Sequence, residues 1–269
     1  MSRVRLDWFN LDQKQGQDLC LKIPLGDIYC DRIDRAFPNI EHVGWRDSSK
    51  GTSYTFIKTI SDDDRKRLNE LLEVLAEILC LTTTEHLKGH FTDELDEAYA
   101  LDFNFNQNKK PTHDNYTKVG DLVYRAKWCQ NGDAARELAE MLARAIQRHP
   151  TLLRADIIAA VPPRPSKKFH LPNELLVTLE KSLDRQCGLG VSVKEISQLK
   201  ELAFDRKIAA LADAFSLKDS VNDRTILLID DLYQSGATLW SFAKFLKSHG
   251  AREIYGLTCE KSWSDTDNV

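Results

Sequence analysis

No Cys-x-x-Cys pair occurs anywhere in the 269 residues. The six cysteines, Cys20, Cys30, Cys80, Cys129, Cys187 and Cys259, are scattered without paired spacing. That pattern argues against a zinc knuckle or a disulfide framework. The N-terminal MSRVRLDWFN also lacks the apolar core of an export signal, so the cysteines read as reduced thiols of a cytosolic protein. No apolar run approaches the roughly 18 residues a membrane helix needs, which removes the membrane as a partner. Excess positive charge is missing too. At a net charge of −4 and a pI near 6.0, the chain has no clear nucleic-acid surface. Internal repeats and low-complexity tracts are absent.

What the chain does have is concentrated between Thr225 and Leu239. The run Ile226-Leu227-Leu228-Ile229 is apolar on both faces, as a central parallel strand requires. It ends in two adjacent carboxylates, Asp230 and Asp231, and a small-residue loop follows: Gln234, Ser235, Gly236, Ala237 and Thr238. An amphipathic segment from Leu239 to Lys247 reads as the next helix. Ligands of open α/β sheets bind beyond the carboxyl ends of the strands. Paired carboxylates there can accept hydrogen bonds from two vicinal hydroxyls or approach Mg²⁺. The loop can direct backbone amides and two hydroxyls at an anion, helped by the positive end of the helix. A diol site beside a phosphate site suits a ribose 5-phosphate moiety. A Walker loop is not the reading, because this loop has no Lys.

A basic turn, Val161-Pro162-Pro163-Arg164-Pro165-Ser166-Lys167-Lys168, comes just after a predicted strand. Pro163, Arg164, Lys167 and Lys168 read either as a solvated turn or as a site for a second phosphate group. Residues 195–213 carry Lys200, Arg206 and Lys207, and read as a surface helix, a lid, or both. His86 and His90 have the spacing of two ligands on one helix face. No Glu follows His86, and Gly89 weakens the helix, so no metal site is expected there. Trp240 is expected in the core, and Tyr233 is the aromatic assigned to the acceptor pocket.

The chain is long enough for one large domain or two. Ser61, followed by Asp62, Asp63 and Asp64, is a strong helix start, and a leucine-rich face then runs to about Leu81. The polar stretch from Asn104 to Asn115 reads as a linker. The domain boundary is therefore placed there: residues 1–112 as an N-terminal cap or partner-binding region, and residues 113–269 as the site-bearing domain. After the boundary, helix and strand alternate, including a helix from Asp133 to Arg148, and this predicts a parallel sheet.

The Asp230-Asp231 segment resembles the signature of the type I phosphoribosyltransferases. Other stretches resemble the ComF-like subgroup in the same order: Val119 to Lys127, Ala155 to Pro163, Phe169 to Leu175, and Asp205 to Phe215. The resemblance covers about residues 116–261. It implies an α/β fold with a Rossmann-like parallel sheet of the type I phosphoribosyltransferase kind, to which an α+β N-terminal region is added. It further implies phosphoribosyl pyrophosphate (PRPP) as ligand, Mg²⁺ as cofactor, and transfer of phosphoribosyl to an acceptor with release of pyrophosphate. Asp230 and Asp231 would hold the ribose hydroxyls with the metal nearby. Gln234 to Thr238 would hold the 5-phosphate, Pro163, Arg164, Lys167 and Lys168 the pyrophosphate, and the hood would bring Lys200, Arg206 and Lys207. A cis peptide is common in the family at the Val161-Pro162-Pro163 turn, and dimers are frequent. Gln234 stands where purine-salvage members place an acid, which argues against purine salvage. The alternative is a non-catalytic protein that senses PRPP or a nucleotide, or an accessory of DNA uptake or defence that works through a partner.

Overall fold

Residues Thr225–Tyr233 form one continuous strand in the computed structural model, which describes residues 5–13, 17–83, 85–107, 109–196 and 202–263. In chain order the elements are β1 (Asn10–Asp12), β2 (Leu19–Pro24), α1 (Asp27–Ala36), β3 (Arg46–Ser48), β4 (Thr52–Ile57), α2 (Asp62–Glu77), β5 (Leu79–Leu81), α3 (Glu85–Lys88), β6 (Glu97–Phe103), α4 (Lys118–Trp128), α5 (Gly132–Arg148), α6 (Pro150–Leu153), β7 (Ile157–Ala160), α7 (Leu171–Leu183), β8 (Val191–Val193), α8 (Phe204–Ala212), β9 (Phe215–Leu217), β10 (Thr225–Tyr233), α9 (Ala237–Ser248) and β11 (Glu253–Lys261). They divide into two units: residues 1–80 with 145–153, and residues 81–144 with 154–269. The predicted boundary in residues 104–115 is therefore corrected. β6 lies before it in sequence, yet hydrogen-bonds to β11 in the second unit.

The first unit holds an antiparallel sheet in the order β1-β2-β4-β3. Its strands alternate as a sheet with one covered face must. Leu19, Leu21, Ile23 and Ile57 are buried. Lys22 and Phe56 are exposed, Tyr54 is half-buried, and these three help to line a shallow concavity of about 470 Å³ on the other face. Helix α2 starts where the sequence says, with Ser61 Oγ accepting from the Asp64 amide at 3.0 Å. It stops at Glu77, short of the predicted end near Leu81. Ile78 turns extended, and Leu79–Leu81 becomes β5, the edge of the other sheet. A buried run of Leu and Cys serves strand or helix equally well, and pairing decided the matter.

The second unit is built on a sheet in the order β5-β6-β11-β10-β7, with the β6-β11, β11-β10 and β10-β7 pairs all parallel. This is the mixed α/β architecture expected. Strand β10 is buried on both faces through Ile229, and β11 is buried from Ile254 to Glu260. Helices α4, α7 and α9 pack on the sheet, and α8 packs on α9. A separate antiparallel ribbon pairs β8 with β9. Among the described residues no peptide bond is cis, so the cis peptide expected at the Val161-Pro162-Pro163 turn is not found. No helix among them is long and apolar enough to cross a membrane.

Helix α4 is seated with little tolerance. Thr117 caps it by accepting from the Gly120 amide at 3.0 Å, and donates its hydroxyl to the Phe103 carbonyl at 2.5 Å. A Cβ on Gly120 would lie 2.0 Å from the Asn104 carbonyl oxygen, so only Gly allows this approach. Gly132, at the start of α5, has nothing within 4 Å of such a Cβ. The expected outcome is that Gly120→Ala lowers stability by about 1–3 kcal/mol, whereas Gly132→Ala is neutral or stabilising by up to about 1 kcal/mol. Thermal melts of the two variants beside the wild type check this, and equal melting temperatures would contradict the seating of α4.

Candidate functional site

Strand β7 ends opposite Ile229. Ala160 is its last paired residue, and the Val161 amide donates to the Ile229 carbonyl at 2.9 Å. Beyond that point β10 is paired only with β11, up to Tyr233. Asp230 and Asp231 are thus inside the strand, not past its end as the sequence suggested. They lie where the strand has lost one neighbour, and the chain leaving β7 as the Pro162–Lys168 turn begins at the same level. That opening is the crevice expected at the carboxyl edge of a parallel sheet.

The acids are not alone. Lys127, near the end of α4, places Nζ 2.5 Å from Asp231 Oδ2, with side chains only 21% and 9% exposed. Glu260 on β11 is 8% exposed, and its register partners are Leu232 on β10 and Asp102 on β6. Burial pushes the Glu260 carboxyl up to about 8, and the Asp231 charge adds to it. Burial also raises Asp230, again with the Asp231 charge second. For Asp231, burial acts in the same upward direction. The Lys127 ammonium outweighs it with help from Lys167, and holds this carboxyl below the ordinary range. Burial works to discharge Lys127, but Asp231 more than compensates and keeps it charged. The cluster thus holds one firmly ionised carboxylate on a buried ammonium and two carboxyls that resist ionisation.

The loop follows directly. Gly236 adopts φ +80°, and a Cβ there would come within 2.6 Å of the Tyr233 hydroxyl. Only Gly lets the chain cross so closely above Tyr233. Ser235 Oγ accepts from the Ala237 amide at 3.3 Å as α9 begins. Gln234 is exposed, and Ser235 and Thr238 are half-buried, so the loop presents a polar rim to solvent. Helix α9 points its N-terminus at this rim, where unpaired amides and the helix dipole favour an anion.

Tyr233 requires a correction. It is 3% exposed, and its hydroxyl accepts from Trp240 Nε1 at 3.2 Å. It forms the floor under the loop and does not face a pocket. Trp240 is 4% exposed, as expected of a core residue, and its ring is tilted against Phe91 with centroids 5.6 Å apart.

The basic turn splits into two kinds of residue. Arg164 is half-buried and Lys167 and Lys168 are exposed, while the Lys167 amide donates to the Arg164 carbonyl at 3.0 Å. Ser166 is bound through both its amide and its hydroxyl to the Glu195 carboxylate, each at 2.9 Å. Lys167 is near enough to both aspartates for its charge to act on them. His170, next along, is held neutral: burial first, then the Lys167 charge, lowers it to about 4.

The hood residues are less united. Lys200 lies outside the described residues. Arg206 is exposed on α8, but Lys207 is 7% exposed and cannot reach freely over a ligand. The helix is tied down at its start, where Asp205 bonds His90 Nε2 at 2.9 Å and Phe204 lies 5.7 Å from the His90 ring. His90 is thereby used in packing. Among the described residues no group of three or more His, Cys, Asp or Glu is arranged to hold a metal by itself.

Lys127, Glu260, His170 and Glu195 are site residues that the sequence reading did not assign. Two of them left a signal. Lys127 follows Val119, Gly120 and Val123 on the buried face of α4, a cation where an apolar residue would be normal. Glu260 closes an apolar strand just as Asp230 does.

No family model and no curated protein matches the chain. Among solved structures it is similar to a hypoxanthine phosphoribosyltransferase from Staphylococcus aureus. The tetragonal crystal form gives a TM-score of 0.34 and 14% identity, covering 52% of this chain and 70% of that one. The orthorhombic form gives 0.32 and 14%, covering 48% and 63%. A purine phosphoribosyltransferase from Pyrococcus horikoshii Ot3 gives 0.29 and 17%, covering 51% and 87%. At these scores the likeness is remote and carries nothing about activity.

Glu260 makes stability depend on pH in a definite direction. Its folded carboxyl titrates near 8, above the ordinary value of about 4.3. Between those values the fold holds a proton that the unfolded chain releases, so stability falls as pH rises through that window. Urea midpoints should decline from pH 6 to pH 9, and Glu260→Gln should flatten the decline. An unchanged slope in the variant would show that Glu260 is not the buried acid described.

Proposed function

We propose that this chain binds PRPP at the carboxyl edge of β10 and transfers its phosphoribosyl group to an acceptor, releasing pyrophosphate. The observation that carries this reading is one juxtaposition. Two carboxyls stand where β10 loses its β7 neighbour, beside a small-residue loop at the start of α9 and within reach of the charge of Lys167 from the turn that also bears Arg164 and Lys168. Each part suits one part of the ligand. Asp231, ionised, accepts from the ribose hydroxyls with Asp230 beside it. The Gln234–Thr238 rim takes the 5-phosphate through amides and hydroxyls. Arg164, Lys167 and Lys168 take the pyrophosphate, Arg with a fork of donors and Lys as point charges.

In the reaction the bond from the anomeric carbon to pyrophosphate breaks, and pyrophosphate leaves with the electron pair. A lone pair of the acceptor forms the new bond, and the acceptor proton goes to solvent. The chain's contribution is positioning and charge stabilisation. The turn neutralises charge on the leaving group, and Asp231 fixes the sugar. Asp230 and Asp231 would hold Mg²⁺ with one or two carboxylate oxygens, the remaining donors coming from the ligand and from water. When bound, Mg²⁺ would neutralise charge on the pyrophosphate. A nearby cation would also relieve the cost of ionising Asp230.

A second reading is favoured by the buried state of Lys207 and the packing of α8. The hood then supplies fewer cations than a transferase would use, and the chain binds PRPP or a nucleotide as a sensor that acts through a partner on its N-terminal unit. Two measurements decide. Calorimetry with PRPP, with and without Mg²⁺, should show metal-dependent binding in the micromolar range, and Asp230→Asn with Asp231→Asn should abolish it. Retained affinity in that variant would overturn the site. Pyrophosphate release across an acceptor panel then separates transferase from sensor, since a sensor binds PRPP and releases none.

A further inference from the structure

We infer that Lys127 is itself a ligand-binding residue of this site: its ammonium holds Asp231 and at the same time donates to an oxygen of the bound phosphorylated sugar. The inference rests on the PRPP reading above and adds to it a group from a helix a hundred residues away in sequence.

The geometry comes first. Lys127 Nζ lies 2.5 Å from Asp231 Oδ2 and the side chain is 21% exposed, so it is largely enclosed but reachable. An ammonium has three donors, and one carboxylate oxygen can engage only part of them. The contact joins charge to charge at Oδ2, an oxygen that is itself shielded from solvent. The ammonium has further donors, and the exposed fifth of its side chain leaves room for a ligand oxygen to reach them. Asp231 is the partner placed to take sugar hydroxyls, so a donor held against it lies next to the same sugar.

Charge makes the same demand. Asp231 is ionised here beside two carboxyls, Asp230 and Glu260, that resist ionisation, and the ligand brings further negative charge. The cations of the Arg164–Lys168 turn are half-buried or exposed, whereas Lys127 is the ammonium within the acid cluster. A compact point charge meets sugar and phosphate oxygens at several angles, which suits Lys better than a planar guanidinium. The helix that carries it is fixed by the Thr117 cap and by the Gly120–Asn104 approach, so the ammonium is placed in advance.

A purely structural counter-ion would behave differently, and two readouts on the full-length protein tell the cases apart. In the first, PRPP affinity in the presence of Mg²⁺ is measured by calorimetry for wild type, Lys127→Met and Lys127→Arg. The expected result is a loss of at least about tenfold for Lys127→Met, as for a hydrogen bond to a charged group, with partial recovery in Lys127→Arg. In the second, the Nζ resonance of Lys127 is followed in ¹⁵N-lysine-labelled wild type, assigned by its disappearance in Lys127→Arg. It should shift on addition of PRPP. Folded Lys127→Met that binds PRPP within about twofold of wild type would overturn the inference. Should Lys127→Met not fold, an Nζ resonance that PRPP leaves unmoved would overturn it, and a shifted one would support it. Wild type that binds no PRPP, with or without Mg²⁺, would instead remove the PRPP reading on which the inference stands.

Discussion

The fold of the second unit depends on how far β10 is paired on each side. Up to Ile229 it has a parallel neighbour on both edges and apolar packing on both faces. After Ile229 one neighbour ends and the other continues. The backbone of Asp230 to Tyr233 is thus still held in register by β11 while its free side opens. A carboxylate set on an unsupported loop would be mobile. One set fully inside the sheet would be inaccessible. The staggered ending of β7 and β10 gives a rigid backbone and an open edge together.

Electrostatics at that edge follow from the burial the sheet imposes. Three carboxyls in a poorly solvated space cannot all ionise, and they do not. Asp231 is held ionised by Lys127, while Asp230 and Glu260 resist losing their protons. His170 beside them is held neutral, and Lys167 is exposed to solvent. A buried ion pair of this kind is a weak source of stability, because desolvation offsets much of its attraction. In the function proposed above, its position beside the opened strand gives it a part in binding.

The first unit is organised differently. Its antiparallel sheet buries one face, and Arg148 joins the end of α5 to α2 through Glu73 and Glu77, with its closest contact at 2.7 Å. Such a partly exposed pair adds little energy, so the leucine face of α2 dominates the packing there. Segment 145–153 belongs to this unit although it comes from the middle of the chain.

Local chemistry settled a good part of this protein. The apolar run before Asp230, the Ser61 cap with its three acids, the helix over residues 133–148 and the strand after Asp156 all formed, because each rests on short-range periodicity and capping. Gly236 was legible as part of a small loop, for only Gly suits the backbone there. Tertiary structure decided the rest. Leu79–Leu81 could not be told from a continuing helix until β6 paired beside it. The polar stretch at residues 104–115 looked like a linker, but Asn104 is bonded both to Lys261 of β11 and to Thr117, the cap of α4, while Asn115 is bonded back to Asn106. Tyr233 read as a pocket residue because neighbours in sequence suggest neighbours in space, yet the close passage of Gly236 turned it inward. Lys127 and Glu260 came to Asp231 from another helix and another strand. Charges that meet across such separations are joined by the packing of the sheet and its helices, which no local pattern encodes.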